Sequence, residues 1–329
     1  NSLPLHDSHP PDYTISLPQF GTIRNISTDG STYFFVGDHN GGINGDHPVT
    51  YFWNTFPTKS SQPYDFSRDE WVKGVKLSDG KLAAGGLASV YVWNKVPTIA
   101  TQNPDLVLQN PYYKNGDGPD VVQAGGRLYI NNYNGNNVLV YNSFPDSPNR
   151  LPDFALGSPS VTTNTLDLMN YIQNPVVATD GTVLVVSSDF DAVVWIWKTI
   201  PQQSGIPPDS NIPLRPLNIA PWDNALHKGR LVLAGKQNVA IWSALPLKGE
   251  APSYVLSNRI GSVQFQNLRG VALDDTYLYL ADENGRILIW QGLPTTGKEE
   301  PYAIISGLSV PLNHLHSDGS YLCAVAQGN

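Results

Sequence analysis

Arg269-Gly270-Val271-Ala272-Leu273-Asp274, Tyr277-Leu278-Tyr279-Leu280-Ala281-Asp282, Arg286-Ile287-Leu288-Ile289-Trp290 and Tyr302-Ala303-Ile304-Ile305 follow one another along the chain. Each is a short apolar run, and Asp-Asp, Glu-Asn-Gly and proline-containing breaks separate them. That is the pattern of a four-stranded antiparallel meander, strands a to d. The third run closes on a motif that recurs throughout: an aromatic residue, two or three others, then an apolar-proline pair. The copies are Trp53-Asn54-Thr55-Phe56-Pro57, Trp93-Asn94-Lys95-Val96-Pro97, Tyr141-Asn142-Ser143-Phe144-Pro145, Trp197-Lys198-Thr199-Ile200-Pro201, Trp242-Ser243-Ala244-Leu245-Pro246 and Trp290-Gln291-Gly292-Leu293-Pro294. Asn1-Ser2-Leu3-Pro4 repeats it without the aromatic. The prolines recur at about 40 to 56 residues, the spacing of propellers and solenoids.

Inner strands end at Thr28-Asp29-Gly30, Ser78-Asp79-Gly80, Ala124-Gly125-Gly126, Thr179-Asp180-Gly181, His227-Lys228-Gly229, Asp274-Asp275 and Ser317-Asp318-Gly319. Asp-Gly and Gly-Gly supply the positive φ of a tight a-to-b hairpin. Counting them predicts an all-β fold: a seven-bladed β-propeller of four-stranded antiparallel blades, with six blades as the alternative. Residues 1–329 then form one domain. The strand-c aromatics are expected to pack between blades.

Residues 1–18 and 312–329 together are expected to form the closing blade. Pro11-Asp12-Tyr13-Thr14-Ile15-Ser16 matches strand d elsewhere, and residues 313–326 match strands a and b. Gln327-Gly328-Asn329 matches the b-to-c turn and Asn1 the residue after the strand-c aromatic, so strand c has no counterpart. Either the natural chain extends further, or the gap takes a strand from a partner or a neighbouring subunit by β-augmentation.

Charged residues make up only 15% of the chain, below the roughly 25% of ordinary soluble domains, and Asn, Ser, Thr, Gly and Pro replace them. Together with a start at Asn1, which suits a processed product, this points to a secreted or extracellular protein. The net charge of -8 and the absence of a Lys/Arg run exclude nucleic acid as the expected partner. No apolar run approaches a membrane span, so membrane insertion is not expected. Cys323, the single cysteine, lies in Tyr321-Leu322-Cys323-Ala324-Val325 and reads as a buried structural thiol.

Asn137-Val138-Leu139-Val140-Tyr141, Asn238-Val239-Ala240-Ile241-Trp242 and Pro152-Asp153-Phe154-Ala155-Leu156-Gly157 resemble the repeats of NHL-like β-propellers. Pro104-Asp105-Leu106-Val107-Leu108 departs by ending in Gln109, and Arg286 stands where that pattern has asparagine. The resemblance implies the fold alone. Such propellers include scaffolds, ligand binders, lyases and hydrolases.

Long loops accumulate on one face of the predicted ring, where the d-to-a and b-to-c connections emerge, and that face is where binding is expected. The inner strands enter there at Arg24, Lys73, Asp120, Asn174, Asp223, Arg269 and Asn313, with Trp222 and His314 adjacent. This polar ring suits a shallow site for a polar small molecule or glycan, with Tyr112, Tyr113, Tyr133 and Trp222 as stacking surfaces. It equally suits the polar lining of a water-filled channel.

Asp38, His39, Asp46 and His47 in one glycine-rich loop are the metal candidates, and Ca²⁺ or Zn²⁺ would suit them, although no cofactor is expected. His314 and His316 face one side of a strand and would need His227 as a third ligand. Asp38, Asp189 and Asp282 end their b strands as turn caps. No nucleophile elbow, P-loop or dinucleotide fingerprint is present. The expected function is a non-catalytic extracellular binding or assembly module. It would bind a protein, or self-associate into a homo-oligomer or filament through the incomplete blade. A metal-dependent lyase or lactonase-like hydrolase at the central channel is the alternative.

Overall fold

A computed structural model describes the chain except residues 1–2, 4–5, 8, 29–30, 43–44, 46, 71–72, 79, 87–88, 110–119, 133–134, 164–175, 189–191, 248, 309–311, 318 and 327–329. It is an all-β propeller built from four-stranded antiparallel sheets. The first blade runs a to d through Ile23–Thr28, Phe34–Gly41, His47–Trp53 and Phe66–Arg68. Four more occupy residues 73–109, 120–156, 176–213 and 223–257, and the sixth comprises Leu268–Leu273, Tyr277–Asp282, Arg286–Gln291 and Ala303–Ile305. In every one the strands pair in sequence order, the meander the apolar runs predict.

The expectation of seven four-stranded blades is corrected. Six form, in line with the six-bladed alternative, and a two-stranded sheet of Leu312–Ser317 and Leu322–Ala326 stands between the sixth blade and the first. Residues 11–16 do not join a ladder, although they are expected as strand d. The physical reason is the missing neighbour: strand d pairs only with strand c, and among the described residues none lies beside Leu322–Ala326.

The strand-c motif has a further reason beyond packing. Each aromatic is buried, and each donates its indole or phenol proton to a carbonyl of its own c-to-d turn. Trp53 donates to Gln62, Trp93 to Gln102, Tyr141 to Arg150, Trp197 to Ile206, Trp242 to Glu250 and Trp290 to Glu299. The Pro-Asp element is a cap. Asp65, Asp105, Asp153 and Asp209 each accept the backbone N–H of the residue after the aromatic at 2.7 Å. Ser253 does the same for Ser243 at 3.1 Å.

Arg286 keeps the work of the asparagine it replaces. Asn238 donates to the carbonyls of Leu217 and Asn218 in the connection leading into its blade; Arg286 reaches Gln264 in the connection leading into the next. Where the inner hairpins of the third and fourth blades meet, Gly125 and Gly181 have φ of 57° and 91°. A Cβ on Gly125 would lie 3.0 Å from the Gly181 carbonyl oxygen, so the approach requires glycine twice over.

Candidate functional site

Of the predicted channel ring, Asn174 lies outside the described residues, as do the side chains of Arg24, Lys73, Asp120 and Asn313 and the aromatics Tyr112, Tyr113 and Tyr133. The remaining members converge where the fifth blade, the sixth blade and the two-stranded sheet meet. Asp223 is buried, and its Oδ2 lies 2.8 Å from His314 Nδ1. The Arg269 guanidinium stacks 4.5 Å from the centroid of the exposed Trp222 ring. Its Nη2 meets Glu283 Oε1 at 2.8 Å, and Asn267 donates to the same oxygen at 2.6 Å. Glu283 and Asn267 therefore belong to the cluster although sequence reasoning passed them over. The strand register signals them: Leu268 opposes Asp282, which brings Asn267 and Glu283 together at the ladder's end.

Chemically this is a stacking platform beside a partly exposed ion pair and a His-Asp pair. Half-exposed ion pairs contribute under about 1 kcal/mol, so the platform adds little stability. His227 does not join it. Its Nε2 is held by Asp275 at 2.7 Å, at the opposite end of the strand that begins with Asp223, so it does not stand beside His314 as a third ligand.

In the first-blade loop, Asp38 turns inward. It accepts the backbone N–H groups of Gly21 at 2.8 Å and Asn40 at 3.2 Å, the capping role, and burial raises its carboxyl pKa despite those bonds. His39 Nδ1 lies 2.9 Å from Asn40 Oδ1, and His47 Nε2 lies 3.5 Å from Asp69 Oδ1. Asp46 and Asp189 lie outside the described residues. Asp282 is buried and binds the Arg286 guanidinium at 3.0 and 2.5 Å while capping Asn284, so it too is a structural carboxylate.

The closing seam is the second feature. Although residues 11–17 pair with no strand, they lie where strand d belongs. Thr14 N–H donates to Ser60 Oγ at 3.1 Å, as Ala155 of the third blade's strand d donates to Ser204 at 2.9 Å. Ser60 and Ser204 each follow their strand-c tryptophan by seven residues. Ser61 N–H also donates to Thr14 at 2.9 Å. Exposure alternates over residues 13–17 as along a strand, with Ile15 and Leu17 packed against Trp53 and Val325.

The preceding residues form a c-to-d turn. Ile304 N–H donates to Asp7 Oδ1 at 2.8 Å, the same contact one position round the ring. His9 N–H donates to the His6 carbonyl, as Gln102 does to Ile99 and Arg150 to Ser147. The N-terminal segment is thus held between the outer strand of the sixth blade, at Ile304, and the c-to-d turn of the first, at Ser60 and Ser61.

Between this segment and the sheet of residues 312–326 is an open place. An apolar residue at the start of strand b, its first or second, opposes the strand-c aromatic in all six blades: Phe34 to Trp53, Leu82 to Trp93, Leu128 to Tyr141, Leu184 to Trp197, Leu231 to Trp242 and Leu278 to Trp290. Leu322 holds that position with no strand-c partner among the described residues. Two residues on, Val36, Ala84, Ile130, Val186, Leu233 and Leu280 are 0–3% exposed, whereas Ala324 is exposed.

The expected burial of Cys323 is corrected on the same ground. Its counterparts, Phe35, Ala83, Tyr129, Val185, Val232 and Tyr279, are at most 1% exposed, but Cys323 is only half-buried: among the described residues no strand c lies beside its sheet.

The apolar clusters between sheets agree. Six of them contain a strand-c aromatic, namely Trp53, Trp93, Tyr141, Trp197, Trp242 and Trp290. The seventh, between the sixth blade and the closing sheet, has none. A cleft of about 470 Å³ opens at the hairpin end of that junction, lined by Leu3, Leu273, Tyr277, Ser317, Gly319 and Ser320 among others. No helix of the described residues is long and apolar enough to cross a membrane.

The chain is similar to the crystal structure of the computationally designed Ika8 protein, with a TM-score of 0.59, 11% identity and 96% of each chain covered. A likeness at that identity carries the propeller fold alone. No protein-family model matches the chain.

Proposed function

We propose that this chain is a secreted, non-catalytic binding or assembly module of NHL-like type, and that its working surface is the open seam of a seven-position ring. One observation carries this reading: among the described residues no strand pairs with the outer side of the sheet formed by Leu312–Ser317 and Leu322–Ala326, while Asp7 and Thr14 are held in the place beyond it. An unpaired strand edge flanked by a fixed second edge offers backbone donors and acceptors to an extended segment of a partner protein. The apolar, weakly charged character of Leu322, Cys323 and Ala324 favours a protein strand over a polar small molecule. The extracellular placement rests on the low charge and the Asn-, Ser- and Thr-rich composition.

Hydrogen exchange read by mass spectrometry tests it. In the dilute isolated protein, the amides of residues 322–326 are expected to exchange far faster than those of the equivalent strand, Tyr277–Asp282. Equal protection in a monomer would mean the edge is already covered, and would overturn the reading.

The channel-mouth cluster supports a second reading, a polar-ligand or metal-dependent catalytic site. Its basis is the His314–Asp223 contact at 2.8 Å beside the Trp222–Arg269 platform. Elemental analysis of purified protein and of the Asp223→Asn variant tests it. Stoichiometric Zn²⁺ or Ca²⁺ lost in the variant would establish the site; metal content unchanged by the substitution would refute it.

A further inference from the structure

We propose that the seam accepts one inserted strand of the chain's own strand-c chemistry: apolar residues ending in Trp or Tyr, antiparallel to Leu322–Ala326, with the aromatic opposite Leu322. This rests on the seam being the working surface, and adds the chemical class and register of what binds there.

The register follows from the repeats. In the sixth blade Leu288 lies between Leu280 and Ile304, and in the third Leu139 lies between Ile130 and Ala155. The corresponding flanks of the seam are Ala324 and Thr14, so the incoming strand's central residue lies between them. An apolar side chain there would cover the exposed Ala324 and the half-buried Cys323.

Three features prepare for the aromatic. The apolar cluster shared by the sixth blade and the closing sheet is the one without a strand-c ring. The turn at His6 to His9 reproduces those that wrap Trp93 and Tyr141. In five blades the aromatic proton goes to a carbonyl in the register of His9: Gln62, Gln102, Arg150, Ile206 and Glu299. The His9 carbonyl is therefore the acceptor an incoming indole would meet. Asp12 stands in the register of Asp65, Asp105, Asp153 and Asp209, and would cap the N–H after that aromatic. The occupant is thus an extended segment patterned apolar-x-apolar-aromatic, and a polar or proline-bearing strand would not satisfy it.

The probe is a synthetic peptide of residues 238–243, Asn-Val-Ala-Ile-Trp-Ser, with a fluorophore and a solubilising lysine at its N-terminus. A second peptide has the tryptophan replaced by alanine. Saturable binding to the full chain is expected, with slower exchange of amides 322–326 and protection of Cys323 from a thiol reagent. Alanine for tryptophan should weaken binding by about 100-fold or more, the scale of deleting a buried large aromatic. Asp12→Ala should weaken it several-fold, whereas Asp209→Ala should not change it.

Equal binding of the two peptides, with amides 322–326 protected in both, would overturn the aromatic register and leave the open-edge reading standing. No saturable binding at ~1 mM peptide, on an edge that exchange shows to be open, would overturn the inference alone. An edge protected before any peptide is added would overturn both.

Discussion

Replacing Asp209 by alanine removes one acceptor and little else, so its effect follows from geometry. The carboxylate accepts Lys198 N–H at 2.7 Å on an exposed turn. A hydrogen bond to a charged acceptor contributes about 1.5–3 kcal/mol, and exposure to water takes it to the bottom of that range or below. A loss of about 1–1.5 kcal/mol is expected, with Tm lower by about 2–3 °C. Asp209→Ser should recover about half, because the fifth blade already uses Ser253 in this role at 3.1 Å. Asp12→Ala, at the same register position in the open seam, should stay within about 0.5 kcal/mol, the range of an ordinary surface change. Guanidinium denaturation followed by tryptophan fluorescence measures all three against the parent chain. If Asp209→Ala is silent, the Pro-Asp element is not a cap. If Asp12→Ala costs as much as Asp209→Ala, its place is already filled by a strand and the seam is not open.

Trp290→Ala should destabilise by about 3–5 kcal/mol, since the ring is 2% exposed and joins the fifth and sixth blades, and Trp290→Phe should cost clearly less; urea midpoints separate the two. Gly125→Ala should cost about 1–2 kcal/mol and lower Tm in calorimetry, from its positive φ and the 3.0 Å approach to Gly181. Burial pushes the Asp274 carboxyl up, but bonds from Tyr279, the Thr276 and Tyr277 amides and Ser317 outweigh it, so the folded pKa lies below the ordinary value. A depressed folded pKa stabilises above the unfolded pKa of about 4 and is lost as pH falls through the folded value. Denaturation midpoints below pH 4 should therefore flatten in Asp274→Asn. Burial raises the Tyr141 phenol to about 12, so its contribution is present below about pH 10 and lost as pH rises towards 12; ultraviolet titration of Tyr141→Phe should lack one late phenol.

The blades were legible because their signals are local. Asp-Gly hairpins, apolar runs and the aromatic-proline motif each act within a few residues, and aligning the copies gave Thr14 the same register as Ala155, with which it shares a bond to a serine of the neighbouring turn. Whether a segment pairs is not local, which is why residues 11–16 were expected as a ladder strand and Cys323 as buried. Both expectations presumed a neighbour on the open side. The channel cluster was half legible. Trp222, Asp223, Arg269 and His314 followed from counting strand entries, but the stacking of Arg269 on Trp222 and its pairing with Glu283 depend on side-chain direction across two blades, which no repeat pattern specifies.

The bond from Ile304 to Asp7 spans 297 positions of chain. Closing so long a loop costs about 5 kcal/mol of chain entropy before any contact offsets it. Each blade draws its ladder pairs from within about 50 residues as it leaves the ribosome, but this clasp cannot form until residue 304 has been made. Until residue 325 follows, the cluster that holds Trp53, with Ile15 and Leu17 packed against it, lacks Val325. The first blade can therefore pair its own strands early, but its core is completed only after residues 304–325 have been made.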